Sequence, residues 1–153
     1  MKKYELTAEF IEKWGKKLFR IKALISFGSV EAGELGGYIE KEDNLAHDGN
    51  AWVYGDAEVC GNARVYGNAD YLLIGRIGSR FSFTTFFKNK DKGITVSCGC
   101  FLGTIAEFRA KVTDTHGNNK HAKMYNLAAD MAELQILGEE YFDKLNTNKS
   151  EPF

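Results

Sequence analysis

The chain has 153 residues, of which 44% are hydrophobic and 13% aromatic, enough for one domain with a substantial core. Its three cysteines are an odd number, which excludes a disulfide framework, and no apolar run approaches the roughly 20 residues of a membrane span. The net charge is −1, but residues 71–123 carry nine basic and three acidic side chains, a local excess of +6. The basic start, Met1-Lys2-Lys3, is followed by a mixed segment, so we expect no signal peptide, and the unpaired thiols favour a cytosolic protein.

Residues 1–34 are predicted to form an N-terminal β cap. Within them, residues 7–15 allow either a short helix that starts at Thr7 or a hairpin around Trp14-Gly15-Lys16. We favour the hairpin because side chains alternate in polarity along 18–23. The cap would cover the open edge of the segment that follows.

Residues 35–70 repeat with a period of six. The six words are LGGYIE, KEDNLA, HDGNAW, VYGDAE, VCGNAR and VYGNAD. The fifth letter is always aliphatic, and glycine occupies the third letter in five of the six words. A six-residue period with glycine turns is typical of a parallel β-helix, in which three words close one coil of about 18 residues. The segment therefore predicts a short left-handed β-helix of about two coils, 35–52 and 53–70.

This register predicts which repeat side chains face inward, because strand side chains alternate between faces and each corner resets the count. Stacking one coil later would place Ile39 under Ala57 and Leu45 under Ala63. His47 would occupy an inward slot of the less regular first coil. The predicted inward side chains are Ile39, Leu45, Val53, Ala57, Val59, Ala63, Val65 and Ala69.

Residues 71–145 are predicted to form a β-hairpin plus two-helix cap, so that the fold class is mainly β with C-terminal helices. We expect strands at 71–74, 81–88 and 94–101, a glycine-rich turn at 75–80 and a hairpin turn at 89–93. Thr104 and Glu107 form a capping box for a helix that ends at Gly117. A second helix is expected from about Asn119 to about Phe142, and residues 146–153 are expected to be disordered. The predicted buried face of this second helix is Ala122, Tyr125, Ala129, Ala132 and Ile136.

Three catalytic or metal-binding possibilities are weak. His47 is the only histidine of the repeat and the only candidate base for a hexapeptide-type acyltransferase, and no inserted loop accompanies it. Zinc binding by Cys98, Cys100, His116 and His121 stays open, although the C-x-C spacing is tighter than in most zinc sites. A Cys100–His116 nucleophile has only its residue types in its favour. We therefore predict a protein that is not an enzyme and has no cofactor and no bound metal.

The basic segment predicts an anion site. The turn 75–80 combines glycine backbone donors with a hydroxyl and two guanidinium groups, and arginine forks suit phosphate. An extended nucleic acid is not expected, because it would need a clearer basic stripe. The candidate ligand-binding residues are Arg76, Ser79, Arg80, Thr84, Lys88, His116, Lys120 and His121.

Several motifs resemble those of small phage and prophage hexapeptide-repeat proteins, often labelled polymer-forming or hypothetical. They are GELGGYIEKEDNLAHDGNAWVYGDA, the A-x-V-x-G-N repeats, IGSR, TTFF, CGCFLGT-x-x-EF and THG-x-N-K-x-A-K-x-Y, and the resemblance covers about 17–130. It implies a phage or bacterial cytoplasmic setting and no particular activity.

These observations predict an accessory protein that acts by binding. Its target would be an anionic nucleotide-like ligand or a host defence protein, and the alternatives are an acyltransferase and a self-assembling solenoid. We also expect a homo-oligomer, a trimer first and a dimer second, formed through a repeat face with Trp52, Tyr54 and Tyr66.

Overall fold

Two four-stranded sheets followed by two helices make up residues 2–138, the part of the chain that the computed structural model describes. The first sheet has the order β1-β2-β3-β4, with strands Tyr4–Lys13, Lys16–Ala23, Leu35–Ile39 and Glu58–Val59. The second has the order β5-β6-β7-β8, with strands Tyr71–Ile77, Ser82–Lys88, Ile94–Cys98 and Phe101–Thr104. Helix α1 is Ile105–His116, and helix α2 is Lys120–Ala132, which continues as a π-helical segment over Glu133–Leu137.

The N-terminal segment is a hairpin, as favoured from the sequence, and the alternative helix is wrong. Strands β1 and β2 pair antiparallel up to Lys13 and Lys16. Between them Trp14 and Gly15 have φ values of 54° and 72°, the two positive values that a tight two-residue hairpin turn requires. At this tip the Trp14 indole reaches the β7–β8 connection of the second sheet, where it bonds the Cys100 carbonyl.

The predicted β-helix is wrong. Only Leu35–Ile39 and Glu58–Val59 are strands within the repeat, and β3 joins β2 antiparallel in a mixed sheet. The predicted spacing of 18 residues is also wrong, because Ile39 pairs with Val59 and Leu45 with Val65. Asn44 supplies a reason for the longer spacing. It ends a 3₁₀ turn, and its fully buried side chain bonds the backbone at 40, 41, 61 and 63.

The predicted inward side chains are buried with one exception. Ala69 is exposed, because 68–70 form a 3₁₀ turn that leads into β5. The other seven belong to one core together with Leu18 and Ile21 of β2. Trp52, which was expected on an exposed face, is fully buried there as well, whereas Tyr54 and Tyr66 are exposed. Alternating apolar residues thus fill a core even though no solenoid forms.

The second sheet differs from its prediction at two turns. Residues 75–77 were expected in a turn but belong to strand β5, which continues through Ile77 because this side chain is buried in the second core. The segment 94–101 is two strands rather than one, because the chain reverses at Gly99 (φ +58°) and pairs Cys98 with Phe101. The turn at 89–93 is confirmed, closed by a hydrogen bond from the Asn89 N–H to the Gly93 carbonyl.

Both helices begin where the sequence predicts. Thr104 accepts a bond from the Glu107 N–H, and Glu107 in turn accepts one from the Thr104 N–H, so the capping box is confirmed. Helix α1 ends at Gly117, and Asn119 caps α2. The five side chains predicted for the buried face of α2 are all buried.

Arg109 fastens the two helices to each other. Its guanidinium donates to Asp130 at 2.7 Å and to Glu133 at 2.8 Å, and it also bonds the Asn126 side chain. The predicted end of the second helix near Phe142 and the predicted tail at 146–153 lie outside the described residues. The division of the chain at residues 34, 70 and 145 stays a prediction. In the described part of the chain, no helix has the length and apolar character needed to cross a membrane.

Candidate anion-binding cleft

A cleft of about 570 Å³ opens where the β1–β2 hairpin tip, the β5–β6 turn, the β7–β8 turn and the helices meet. We call it the Arg80 cleft; its walls include Trp14, Ser79, Arg80, Lys111, His116 and Tyr125. Its volume lies within the range of small-molecule sites, roughly 300–1,000 Å³. Residues from five elements of the fold therefore converge on a space that fits a metabolite-sized ligand.

The turn that carries Ser79 and Arg80 is seated on Tyr125. The Phe81 N–H bonds the Gly78 carbonyl at 3.1 Å and closes the turn. Gly78 has φ +86°, and a Cβ atom at this position would lie 1.8 Å from the Tyr125 hydroxyl oxygen. Only glycine accommodates both the backbone angle and the close approach. Tyr125 thus determines where Ser79 and Arg80 stand at the mouth of the cleft.

The cationic side of the cleft comes from two elements. Arg80 is exposed on the β5–β6 turn, and Lys111, Thr115 and His116 project from the last turns of α1. Lys111 and Thr115 are four residues apart and so share a helix face. Among residues 2–138, no acidic side chain forms an ion pair with Arg80 or Lys111. The positive charge of the cleft is therefore not neutralised by a described carboxylate.

The floor of the cleft is aromatic and uncharged. Tyr125 stacks on His116 with ring centroids 5.9 Å apart and meets Phe108 edge-on at 5.6 Å. Burial, with Cys98 beside the hydroxyl, raises the pKa of Tyr125 to about 12. The phenol consequently stays neutral at physiological pH and adds no negative charge. Below it, Thr84 donates to the Cys98 sulfur at 3.1 Å.

Trp14 forms the outer wall, and sequence analysis did not identify it. Its indole N–H donates to the Cys100 carbonyl at 2.8 Å, which ties the β1–β2 tip to the β7–β8 turn. Its positive φ is that of the two-residue hairpin turn, so the turn places the indole at the edge of the cleft. Lys111, Thr115 and Tyr125 were also missed as site residues. The spacing of Lys111 and Thr115 before His116 was a usable signal, but nothing near Trp14 in sequence indicates its neighbours.

The eight predicted site residues do not form one site. Ser79, Arg80 and His116 line the Arg80 cleft, and Thr84 lies fully buried beneath it. His121 is next to His116, with ring centroids 5.5 Å apart, and among the described residues its Nδ1 atom has no hydrogen-bond partner.

The other three predicted residues lie elsewhere. Arg76 lines a different cavity with Asp56 and Glu58. Lys88 lies 4.0 Å from Asp70 in a third cavity. Lys120 is exposed at the start of α2.

The two ring nitrogens of His47 are both engaged within the fold. The His47 Nδ1 atom accepts from the Lys3 N–H at 3.1 Å, and its Nε2 atom lies 2.8 Å from a Glu42 oxygen, so both ring nitrogens are engaged. Its ring also stacks on Tyr4 at 4.2 Å. Within residues 2–138, no group of three or more His, Cys, Asp or Glu side chains is placed to hold a metal ion.

No protein-family model matches this chain, and no curated protein matches it in sequence. The resemblance to phage repeat proteins stays a prediction.

Proposed function

We propose that this chain is a phage- or prophage-type accessory protein that acts without catalysis, by capturing a small anionic, nucleotide-like ligand in the Arg80 cleft. The observation that carries the proposal is the meeting of Ser79, Arg80, Lys111 and His116 with aromatic walls in one cavity. The motif resemblance supports the mobile-element setting, in which a captured ligand would be a signal of host defence.

The phosphate of the ligand would bind at the mouth of the cleft. Arg80 offers a planar fork that matches two phosphate oxygens, and Lys111 offers a point charge from the facing helix. The Ser79 hydroxyl adds a neutral donor on the same turn. Because the turn is held by Tyr125, the backbone from which Ser79 and Arg80 project is positioned before the ligand arrives, which lowers the entropy cost of binding.

The base of the ligand would lie between Trp14 and the aromatic floor. Aromatic side chains stack on any nucleobase, with roughly 1–3 kcal/mol per stacked base. Trp14 is held in place by its bond to the Cys100 carbonyl, so its ring is available as a fixed wall. Such a site retains a ligand that has both a flat ring and a phosphate better than one that has either part alone.

Calorimetry of the purified protein with a panel of linear and cyclic nucleotides tests the proposal. Replacing Arg80 by Ala is expected to weaken binding by about ten- to a hundredfold, the effect of losing one charge-assisted bond. Arg76→Ala is the matched control: it removes the same charge four residues away, in a cavity with Asp56 and Glu58. Raising the salt concentration should weaken binding of the parent protein as well.

Two results would contradict the proposal. One is the absence of nucleotide binding; the other is an equal loss in Arg80→Ala and Arg76→Ala, which would indicate general charge attraction. A parallel pull-down from bacterial lysate tests the alternative that the chain captures a host protein rather than a nucleotide. If Arg80→Ala retains the same lysate partner as the parent protein and no nucleotide binds, the captured molecule is a host protein and the cleft is not its site.

A further inference from the structure

Helix α2 carries apolar side chains on both of its faces. One face packs into the second core through Ala122, Tyr125, Ala129 and Ala132. The opposite face exposes a continuous row, which we call the α2 stripe: Met124, Leu127, Met131 and Leu134, with exposed fractions of 38%, 63%, 53% and 42%. Single exposed apolar residues are ordinary, but a contiguous row indicates an interaction surface.

The spacing of the α2 stripe is that of a coiled-coil seam. Met124, Leu127 and Met131 lie within α2 at separations of three and four residues, which places the two methionines at a positions and Leu127 at the d position of a heptad; Leu134 follows three residues later in the π-helical segment. Such a seam packs best against another helix with the same spacing, since each side chain then inserts between four side chains of the partner. A second copy of α2 provides that spacing.

The flanking charges specify the direction of the partner helix. Lys123 and Asp130 each precede a methionine of the stripe and therefore occupy g positions. In an antiparallel pair g positions face g positions, so Lys123 of each copy would meet Asp130 of the other copy, twice by symmetry. In a parallel pair they would face Ala128 and Gln135, which carry no charge. Asp130 is already oriented by Arg109 and its side chain is 44% exposed.

We propose that two copies of this chain associate through the α2 stripe as an antiparallel, two-fold symmetric helix pair. The Arg80 cleft lies on the opposite side of α2, where Tyr125 points into it, so the pair leaves both clefts open. The inference is therefore independent of the proposed ligand. The partner is a dimer mate, in contrast to the trimer through the repeat face that the sequence suggested.

Sedimentation analysis of the full chain over about 1–200 µM is the test, a range that covers the affinities of short helix pairs. The parent protein should sediment as a concentration-dependent dimer, and Leu127→Glu should be monomeric. At a protein concentration too low for the parent to dimerise, the two proteins should have the same unfolding curve, because position 127 is exposed. Lys123→Glu should weaken the dimer by roughly tenfold, because two attractive contacts become repulsive. The matched control is Lys22→Glu, the same charge change at an exposed position of β2.

Three outcomes would overturn this inference. They are a parent protein that is monomeric throughout the concentration range, a trimer, and a dimer that survives Leu127→Glu. Tyr66→Glu distinguishes the rival surface, because Tyr66 is 55% exposed on the repeat. If Tyr66→Glu dissociates the oligomer and Leu127→Glu does not, the copies associate through the repeat face.

Discussion

Replacing Gly78 by Ala should disturb the turn that carries Arg80. Gly78 has φ +86°, and an added Cβ would lie 1.8 Å from the Tyr125 hydroxyl oxygen and 2.6 Å from the ring carbon that bears it. The substitution therefore imposes both a backbone strain and a steric overlap. Because Tyr125 belongs to the second core, the overlap cannot be relieved by a simple rotation into solvent.

The cost can be worked out from these two terms. An alanine in the left-handed region costs about 1–2 kcal/mol relative to glycine. Reaching an ordinary contact of 3.4 Å requires Tyr125 or the turn to move by about 1.6 Å, and overpacking of this kind costs typically about 1–3 kcal/mol. Gly78→Ala should thus lower the free energy of unfolding by about 2–5 kcal/mol and weaken ligand binding at Arg80.

Urea unfolding followed by far-UV circular dichroism measures this loss. Gly99→Ala is the matched control, since Gly99 also has positive φ (+58°) but nothing lies within 4 Å of its added Cβ. Gly99→Ala should therefore lose only the free energy that an alanine costs at positive φ. Adding Tyr125→Phe to Gly78→Ala removes the nearest atom and should recover part of the loss. Equal destabilisation by Gly78→Ala and Gly99→Ala would refute the role assigned to Tyr125.

Three further predictions concern the first core and the cleft. Ala63→Glu buries an unpaired carboxylate and should cost on the order of 4 kcal/mol or abolish cooperative unfolding, whereas Ala69→Glu, at an exposed position, should change stability little in the same urea titration. Burial raises the pKa of the Cys60 thiol from 9.0 to about 11. The stability that the protonated thiol contributes to the folded state is therefore complete below pH 9 and is lost between pH 9 and about 11. In urea unfolding over that window, the free energy of unfolding of the parent should fall by on the order of 2 kcal/mol more than that of Cys60→Ala. Trp14 lines the cleft and Trp52 is fully buried, so a bound nucleotide should quench tryptophan fluorescence in the parent but not in Trp14→Phe, and inorganic triphosphate should quench neither.

Local structure could be predicted from the sequence because the residues that determine it lie close together in the chain. The Thr104–Glu107 box and Gly117 delimit α1 through bonds that span three or four residues. The hairpin at Trp14-Gly15 likewise depends on the alternation of its own two strands. The three-and-four spacing of α2 predicts its buried face for the same reason.

The repeat shows that a sequence pattern can predict burial without predicting the fold. Its period predicts which side chains are apolar and inward, and seven of eight are buried. The period does not specify what the strands pair with. Strand β3 found an antiparallel partner in β2, and the buried Asn44 side chain bonds the backbone of both spans in a register of 20 residues. Two coils are fewer than the three or so that a solenoid needs, so these competing contacts decide the arrangement.

The sequence by itself determined seven inward side chains of the repeat, the limits of α1, the start of α2 and the residue types of the candidate anion site. Tertiary structure alone decided that Arg80 lines one cleft with Lys111 and Trp14 while Arg76, four residues earlier, lies in another cavity. The physical reason is that short-range bonds and periodicity involve neighbours in the chain, whereas the cleft depends on contacts across sheets. The Trp14 bond to Cys100 spans 86 residues, and the Gly78–Tyr125 contact depends on how α2 packs against the second sheet, so no local pattern encodes either contact.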